Sequence, residues 1–317
     1  MLNQEHIEVM FEYLDQSASL LQREMDWDYI KALHEAVLNA CESSVLQDIS
    51  LQGQKKLELL LSSIKQTTFH KEEIRKAMQL VMLKGLKELG ISNQVITPDT
   101  VGIFLAYLIE KFIHPKHIRL LDPLAGSGNL LATIEHALDK EVELFGVEAS
   151  KPMFSMLQSL FAMLDEQPQL FFQDTMTYLG EWVDCLVMDF SKHELTQERY
   201  FPYEVLLHHH QNLQPAGFVF SIIFDDFFDH VQSNDFRQLI QEKYSVIGLI
   251  KLPSSMFKRF SKSILILQKQ GPTVTKIEKA LIVELPDFQD ESSSRMTISH
   301  INQWIKENMH KGEHKNG

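Results

Sequence analysis

The sequence predicts an α/β protein: a seven-stranded, mostly parallel sheet covered by helices on both faces, preceded by an all-helical block. Three observations predict it. In the first ninety or so positions apolar residues recur at helical spacing, and no proline occurs before Pro98. From Ile118 onward short apolar runs alternate with helical stretches, the pattern of a parallel sheet with crossover helices. At the first of those runs, between Leu120 and Leu131, a glycine-containing turn separates a strand from a helix.

In the helical block Ile7, Met10, Phe11, Leu14 and Ala18 fall on one helix face, and Ile74, Ala77, Met78 and Val81 repeat the spacing. Tyr29 to Ala40 and Leu57 to Ile64 supply two more helices, and Asn93-Gln94 closes the block, so a helical domain is expected over 1–92. Thr97-Pro98 reads as a helix cap with proline in the first turn, opening a helix from Asp99 to Phe112. Strands are expected at 118–121, 144–147, 170–172, 185–188, 218–223, 246–252 and 264–267. Helices are expected at 130–138, 152–164 and 204–213. The last two apolar runs read as a closing strand pair. This second domain spans 93–310, and 311–317 reads as a polar, disordered tail.

The composition narrows the function classes. The chain has 317 residues, 44% hydrophobic and 23% charged, which is ordinary globular usage. No apolar run approaches the ~18 residues of a membrane span. Glu5, Glu8, Glu12 and Asp15 with no early Lys or Arg argue against a secretory leader, so a cytoplasmic location without membrane contact is expected. Two cysteines, Cys41 and Cys185, are too few for a disulfide framework and read as buried free thiols. The formal charge of −13 gives no overall basic footprint for nucleic acid. The single basic cluster is Lys251, Lys258, Arg259, Lys262 and Lys269, which reads equally as a phosphate-contacting strip or as a solvated loop.

The stretch Asp122-Pro123-Leu124-Ala125-Gly126-Ser127-Gly128-Asn129 carries the chemistry. Gly126 and Gly128 remove Cβ where a ligand would lie against backbone. About twenty residues on, Phe145-Gly146-Val147 ends in Glu148, placed to accept both hydroxyls of an adenosine ribose. A dinucleotide fingerprint wants a third small residue where Leu131 stands, and its turn serves a pyrophosphate. S-adenosylmethionine (SAM) has no pyrophosphate and tolerates the looser turn, so a Rossmann-like SAM site is expected.

These residues resemble the class I SAM-dependent methyltransferases, and among them the adenine-N6 DNA methyltransferases near the modification subunits of type I restriction systems. The resemblance rests on the turn at 122–131 and on Gln94-Val95-Ile96-Thr97-Pro98, Phe145 to Glu148 and Phe172-Gln173-Asp174. Leu213 to Gly217 and Val246 to Pro253 with Phe257 extend it. It implies that Thr97 and Pro98 touch the methionine part of SAM or S-adenosylhomocysteine. It places Asp122, Ala125, Gly126, Ser127, Gly128 and Asn129 around the cofactor, Glu148 on the ribose and Asp174 on the adenine amino group. Asp189 takes the first place of the Asn/Asp-Pro-Pro-Tyr acceptor motif and a place beside the cofactor, and the implied acceptor is adenine in DNA or RNA.

The acceptor motif itself departs from the pattern. Asp189-Phe190-Ser191-Lys192 lacks both prolines and the aromatic. Phe190 or Tyr200-Phe201-Pro202-Tyr203 stand as replacement platforms, against ordinary packing. Three readings follow: a methyltransferase with an unusual acceptor, a SAM-binding or partner-binding protein without catalysis, and a relative that binds nothing. Nucleic acid would be held by the Lys251–Lys269 region or by a partner subunit, and the N-terminal helices would lid the site or form a homodimer. His208-His209-His210 point about 100° apart on a helix and do not converge on one metal ion, so they read as a solvated or partly packed helix end, and no metal is expected.

Overall fold

In the computed structural model, described over residues 2–190, 200–230, 232–257, 261–274 and 277–309, the N-terminal block forms four helices. They are α1 (Gln4–Met25), α2 (Tyr29–Cys41), α3 (Leu51–Lys65) and α4 (Lys71–Glu88). Each starts where a side chain caps it. Asn3, Asp28 and Ser50 accept from the N–H groups of Glu5, Lys31 and Gly53, and His70 forms a capping box with Glu73. Helix α5 (Asp99–Phe112) opens after Thr97-Pro98 as expected.

The strand–helix alternation follows as β1 (His117–Asp122), α6 (Asn129–Ala137), β2 (Glu141–Glu148), α7 (Lys151–Met163), β3 (Gln169–Phe172) and β4 (Val183–Asp189). Then come α8 (Phe201–His208), β5 (Leu213–Phe224), α9 (Ser233–Lys243), β6 (Tyr244–Lys251) and β7 (Lys262–Lys269), and finally β8 (Leu281–Glu284) and α10 (Glu291–Asn308). The sheet has eight strands, not the expected seven, in the order β3-β2-β1-β4-β5-β7-β6-β8. The extra strand is β8, which pairs parallel with β6 from Gly248↔Leu281 to Lys251↔Glu284. β1 pairs parallel with β4 and β4 with β5, whereas β7 runs antiparallel to both β5 and β6. The expected closing strand pair is thus β6 with β7. Near-continuous burial along β4 and β7 shows why their sequences are apolar runs rather than alternating ones.

The chain divides into two compact units. One comprises Met1–Ile103, Ala125–His136 and Gly146–Asp174; the other comprises Phe104–Leu124, Ala137–Phe145 and Thr175–Gly317. In the first unit α2 lies along α7, where the His34 Nδ1 and Ser159 Oγ atoms are 2.9 Å apart. Gly85 of α4 leaves room for Ile30 and Met156, since a Cβ there would fall 2.2 Å from Ile30 Cδ1. In the second unit Phe112 packs on Phe218 and Phe220, and Arg119 ties β1 to Glu143 and to Glu181.

Two minor expectations change. Cys185 is buried, but Cys41 at the end of α2 is exposed. His209 is fully buried and bonded to Thr175 Oγ1 and Asn212 Oδ1, because the helix tightens to a 3₁₀ turn over His209–Asn212. Among the described residues no helix is long and apolar enough to cross a membrane. The expected tail 311–317 lies outside the described residues.

Candidate functional site

The first unit gathers most of the residues expected around a cofactor. The Ala125 N–H donates to Val147 O at 2.9 Å, which pins the turn against the end of β2. Gly128 N–H then bonds Ala125 O at 2.8 Å, and Ala132 N–H bonds Gly128 O at 3.0 Å to open α6. Gly126 and Gly128 have φ of +55° and +82°, the left-handed region that glycine enters without strain. Gly146 completes the fit, because a Cβ there would crowd Ala125, Leu131 and Leu170 at 3.1–3.3 Å.

At Gly128 the missing Cβ faces protein. It would fall 2.5 Å from Leu157 Cδ1 and 3.1 Å from Phe161 Cε2 of α7. Helix packing therefore requires that glycine independently of any ligand. Leu131, in the place of the third small residue, is fully buried.

Glu148 is the charged group at the turn. Its Oε2 accepts from Gly126 N–H at 2.9 Å and its Oε1 from Ser150 N–H at 2.6 Å. Burial pushes its carboxyl above the ordinary value, against the pull of the backbone donors of Ser150, Gly126 and Ala149. Each carboxylate oxygen has a second lone pair, so the group retains capacity to accept hydroxyls. The Gln173 N–H donates to Glu148 O at 3.2 Å, bringing the exposed Asp174 next in chain to the same strand end. Thr97 is buried, and its carbonyl accepts from Asn129 Nδ2 at 3.1 Å; Pro98 follows, half-buried. Ala125, Ser127 and Asn129 are buried.

Asp122 and Asp189 belong to the second unit. Asp122 is buried and its Oδ1 accepts from Leu124 N–H at 2.9 Å, shaping the exit from β1. Asp189, at the end of β4, lies 2.6 Å from Lys262 Nζ. The two side chains are 12% and 7% exposed, so this is a buried pair, and the Lys262 ammonium also sits over the rings of Phe224 and Phe257.

Of the candidate aromatic platforms, Phe201 is half-buried and the others are packed. Phe190, Tyr200 and Tyr203 are buried; Tyr203 stacks on Phe236 and Tyr200 on His230, at centroid distances of 3.9 and 3.6 Å. Ser191 and Lys192 lie outside the described residues, as do Lys258 and Arg259 of the basic cluster. Of that cluster Lys269 donates to His210 O and Leu213 O, and Lys251 pairs with Glu284 at 3.3 Å.

Sequence reasoning missed Arg75 and Lys262 as partners of these groups. Arg75 stands on the buried stripe of α4 with Met78, Met82 and Leu86, at i, i+3, i+7 and i+11. A charge on an apolar stripe was the available signal. Among the described residues Glu135, His136 and Glu166 are close enough to share a metal ion, but His136 already sits between the carboxylates of Glu72 and Glu166 at 2.6 and 3.0 Å.

Comparison with known proteins fits this architecture. A protein of Listeria monocytogenes assigned to the class I SAM-dependent methyltransferases is 29% identical, with a TM-score of 0.86 over 96% of this chain and 100% of that one. Two type I restriction modification subunits share the fold at low identity. That of Vibrio vulnificus YJ016 gives a TM-score of 0.61 at 14% identity over 85% of this chain and 65% of its own. That of Streptococcus thermophilus gives 0.60 at 13%, over 94% and 74%. The YtxK N-terminal helical domain profile matches residues 8–86. The uncharacterized protein YtxK of Bacillus subtilis (strain 168) is 30% identical over 326 residues, covering 96% of this chain and 99% of that protein. Sharing its helical block, its length and nearly a third of its residues with that protein, the chain belongs to the YtxK family.

Proposed function

We propose that this chain binds SAM or S-adenosylhomocysteine at the turn 125–129, with Glu148 on the ribose hydroxyls, Asp174 on the adenine amino group and Thr97-Pro98 along the methionine part. Asp122 holds the exit of β1 that leads into the turn. One observation carries the reading: Glu148 is fixed by Gly126 and Ser150 N–H at the glycine turn, a carboxylate immobilised where the ribose hydroxyls would be met. The methyltransferase fold of the Listeria relative supports it.

The finer reading is methyl transfer to the amino group of adenine in DNA or RNA, with Asp189 accepting from that amine. A specific observation favours the alternative, a SAM-binding protein without that catalysis. Lys262 holds Asp189 in a buried ion pair, and the packed tyrosines offer no stacking face for a flipped base. The nucleic-acid reading also loses two lysines of its strip, since Lys262 and Lys269 are bonded within the protein.

Isothermal titration tests the cofactor claim. Binding is expected in the micromolar range, about 8 kcal/mol. Glu148→Ala is expected to lose roughly 3 kcal/mol, about 100-fold, for two charge-assisted bonds. A folded wild-type chain that gives no heat and no thermal shift with either ligand refutes the claim. Transfer of a tritiated methyl group to genomic DNA or total RNA, abolished by Asp189→Ala, decides for the enzyme; tight binding without transfer decides for the alternative.

A further inference from the structure

We infer that Arg75, from the N-terminal helical block, is a positioning residue that holds the proposed cofactor turn in shape. The inference rests on the SAM reading above. Arg75 is 1% exposed, and each of its five N–H donors is used. Nε and Nη2 grip both oxygens of Glu72 at 2.8 and 2.9 Å. Nη1 and Nη2 grip both oxygens of Asp99 at 3.0 Å. The remaining Nη1 donor meets Asn129 Oδ1 at 2.8 Å.

That last bond gives the arrangement its consequence. Asn129 closes the turn, and its amide nitrogen donates in turn to Thr97 O and Asp99 Oδ1. One planar guanidinium therefore fixes the two segments assigned to SAM, the turn and Thr97-Pro98, relative to each other. Lys76 and Gln79, also on α4, complete the cage around the Asp99 carboxylate. A lysine at position 75 would supply the charge but not the fork, so the geometry is specific to arginine. The helical block thus contributes to the site through this side chain, whether or not it also meets a partner.

The test reads the turn with and without ligand. Amide hydrogen exchange is followed at residues 125–129 in the full chain, in wild type, Arg75→Lys and Asn129→Ala. Arg75→Met removes the guanidinium from Glu72, Asp99 and Asn129 at once and is expected to unfold part of the unit, so the lysine and the asparagine variants carry the test. A third variant, Lys84→Met, lies on α4 like Arg75 but removes an ion pair with Asp15 of α1, and serves as the control. Arg75→Lys and Asn129→Ala are each expected to raise exchange at 125–129 roughly 10-fold while α1 amides stay protected, and to weaken SAM about 10-fold. Lys84→Met should leave the turn as it was. Turn amides that exchange as in wild type in both test variants, or that loosen equally in Lys84→Met, overturn the inference. A wild-type chain that does not bind SAM refutes the proposed function instead, and the ligand-free exchange still decides for Arg75.

Discussion

The Asp189–Lys262 pair gives a prediction worked from the structure. With 12% and 7% exposure and a 2.6 Å separation, the two charges are largely withdrawn from water. Removing one partner strands the other, at a cost of about 3–5 kcal/mol. Removing both in Asp189→Ala/Lys262→Met leaves no unpaired charge beside Phe224 and Phe257, and should cost about 1 kcal/mol, since a buried pair often equals its apolar replacement. At roughly 2–4 °C per kcal/mol, Lys262→Met and Asp189→Ala should each lower the melting temperature by on the order of 10 °C, with the double variant recovering most of it. Differential scanning calorimetry of the three variants is the assay. Single variants within about 1 °C of wild type, or a double variant as unstable as the worse single, refute the buried-pair argument. The pair would then be loose enough for Asp189 to serve an acceptor.

The two glycines of the turn should separate by readout. Gly128→Ala combines left-handed strain of about 1–2 kcal/mol with a clash on Leu157 and Phe161 worth about 1–3, so it should destabilise by roughly 2–5 kcal/mol in urea unfolding; an unchanged midpoint refutes the packing account. Gly126→Ala carries left-handed strain and, on the proposed reading, is expected to weaken SAM in the titration; unchanged affinity counts against the turn as the cofactor site. The His136 cluster predicts a pH dependence. Burial opposes the charge of His136, but Glu166 and Glu72 outweigh it and raise the group to about 9 from 6.5. A raised folded pKa contributes stability that is complete below pH 6.5 and lost as pH rises through about 9. Burial and the neighbouring Glu166 raise Glu135 to about 7, which acts in the same direction at lower pH. Stability should therefore fall between pH 6.5 and 9, and His136→Gln should flatten that limb; an equal slope in the variant refutes the assignment.

The elements legible in the sequence were those whose burial is dense enough to leave a period. β4 and β7 are buried almost end to end, so each was placed to within a few residues, and α1 buries a full stripe, so its inner face was legible although its end at Met25 was not. The missed elements bury too little. α9 buries only Phe236 and Ile240, α10 only Ile301 and Ile305, and β8 is four residues long with Ile282 exposed. The helix expected at 204–213 begins earlier, at Phe201, because Pro202 in its first turn sets the start. In the candidate site the same logic separates the two halves. The turn and Glu148 are joined by contacts between segments about twenty residues apart and carry a local signature. Lys262 meets Asp189 across 73 residues and Arg75 meets Asn129 across 54, with nothing in either local sequence to announce the other.

The glycine signature therefore has to be weighed residue by residue. Gly128 faces Leu157 and Phe161, and Gly146 faces Ala125, Leu131 and Leu170, so a chain that binds nothing would still need both to close α6 and α7 on the sheet. Their presence argues for the fold and is neutral about the ligand. The pair that discriminates is Gly126 with Glu148. The Glu148 carboxylate accepts from Gly126 and Ser150 N–H, which helps the fold to close the turn, and its oxygens keep lone pairs for ligand hydroxyls, so its removal is read on SAM affinity as well as on stability. The Glu148→Ala titration therefore bears on function, whereas loss of Gly128 bears on folding.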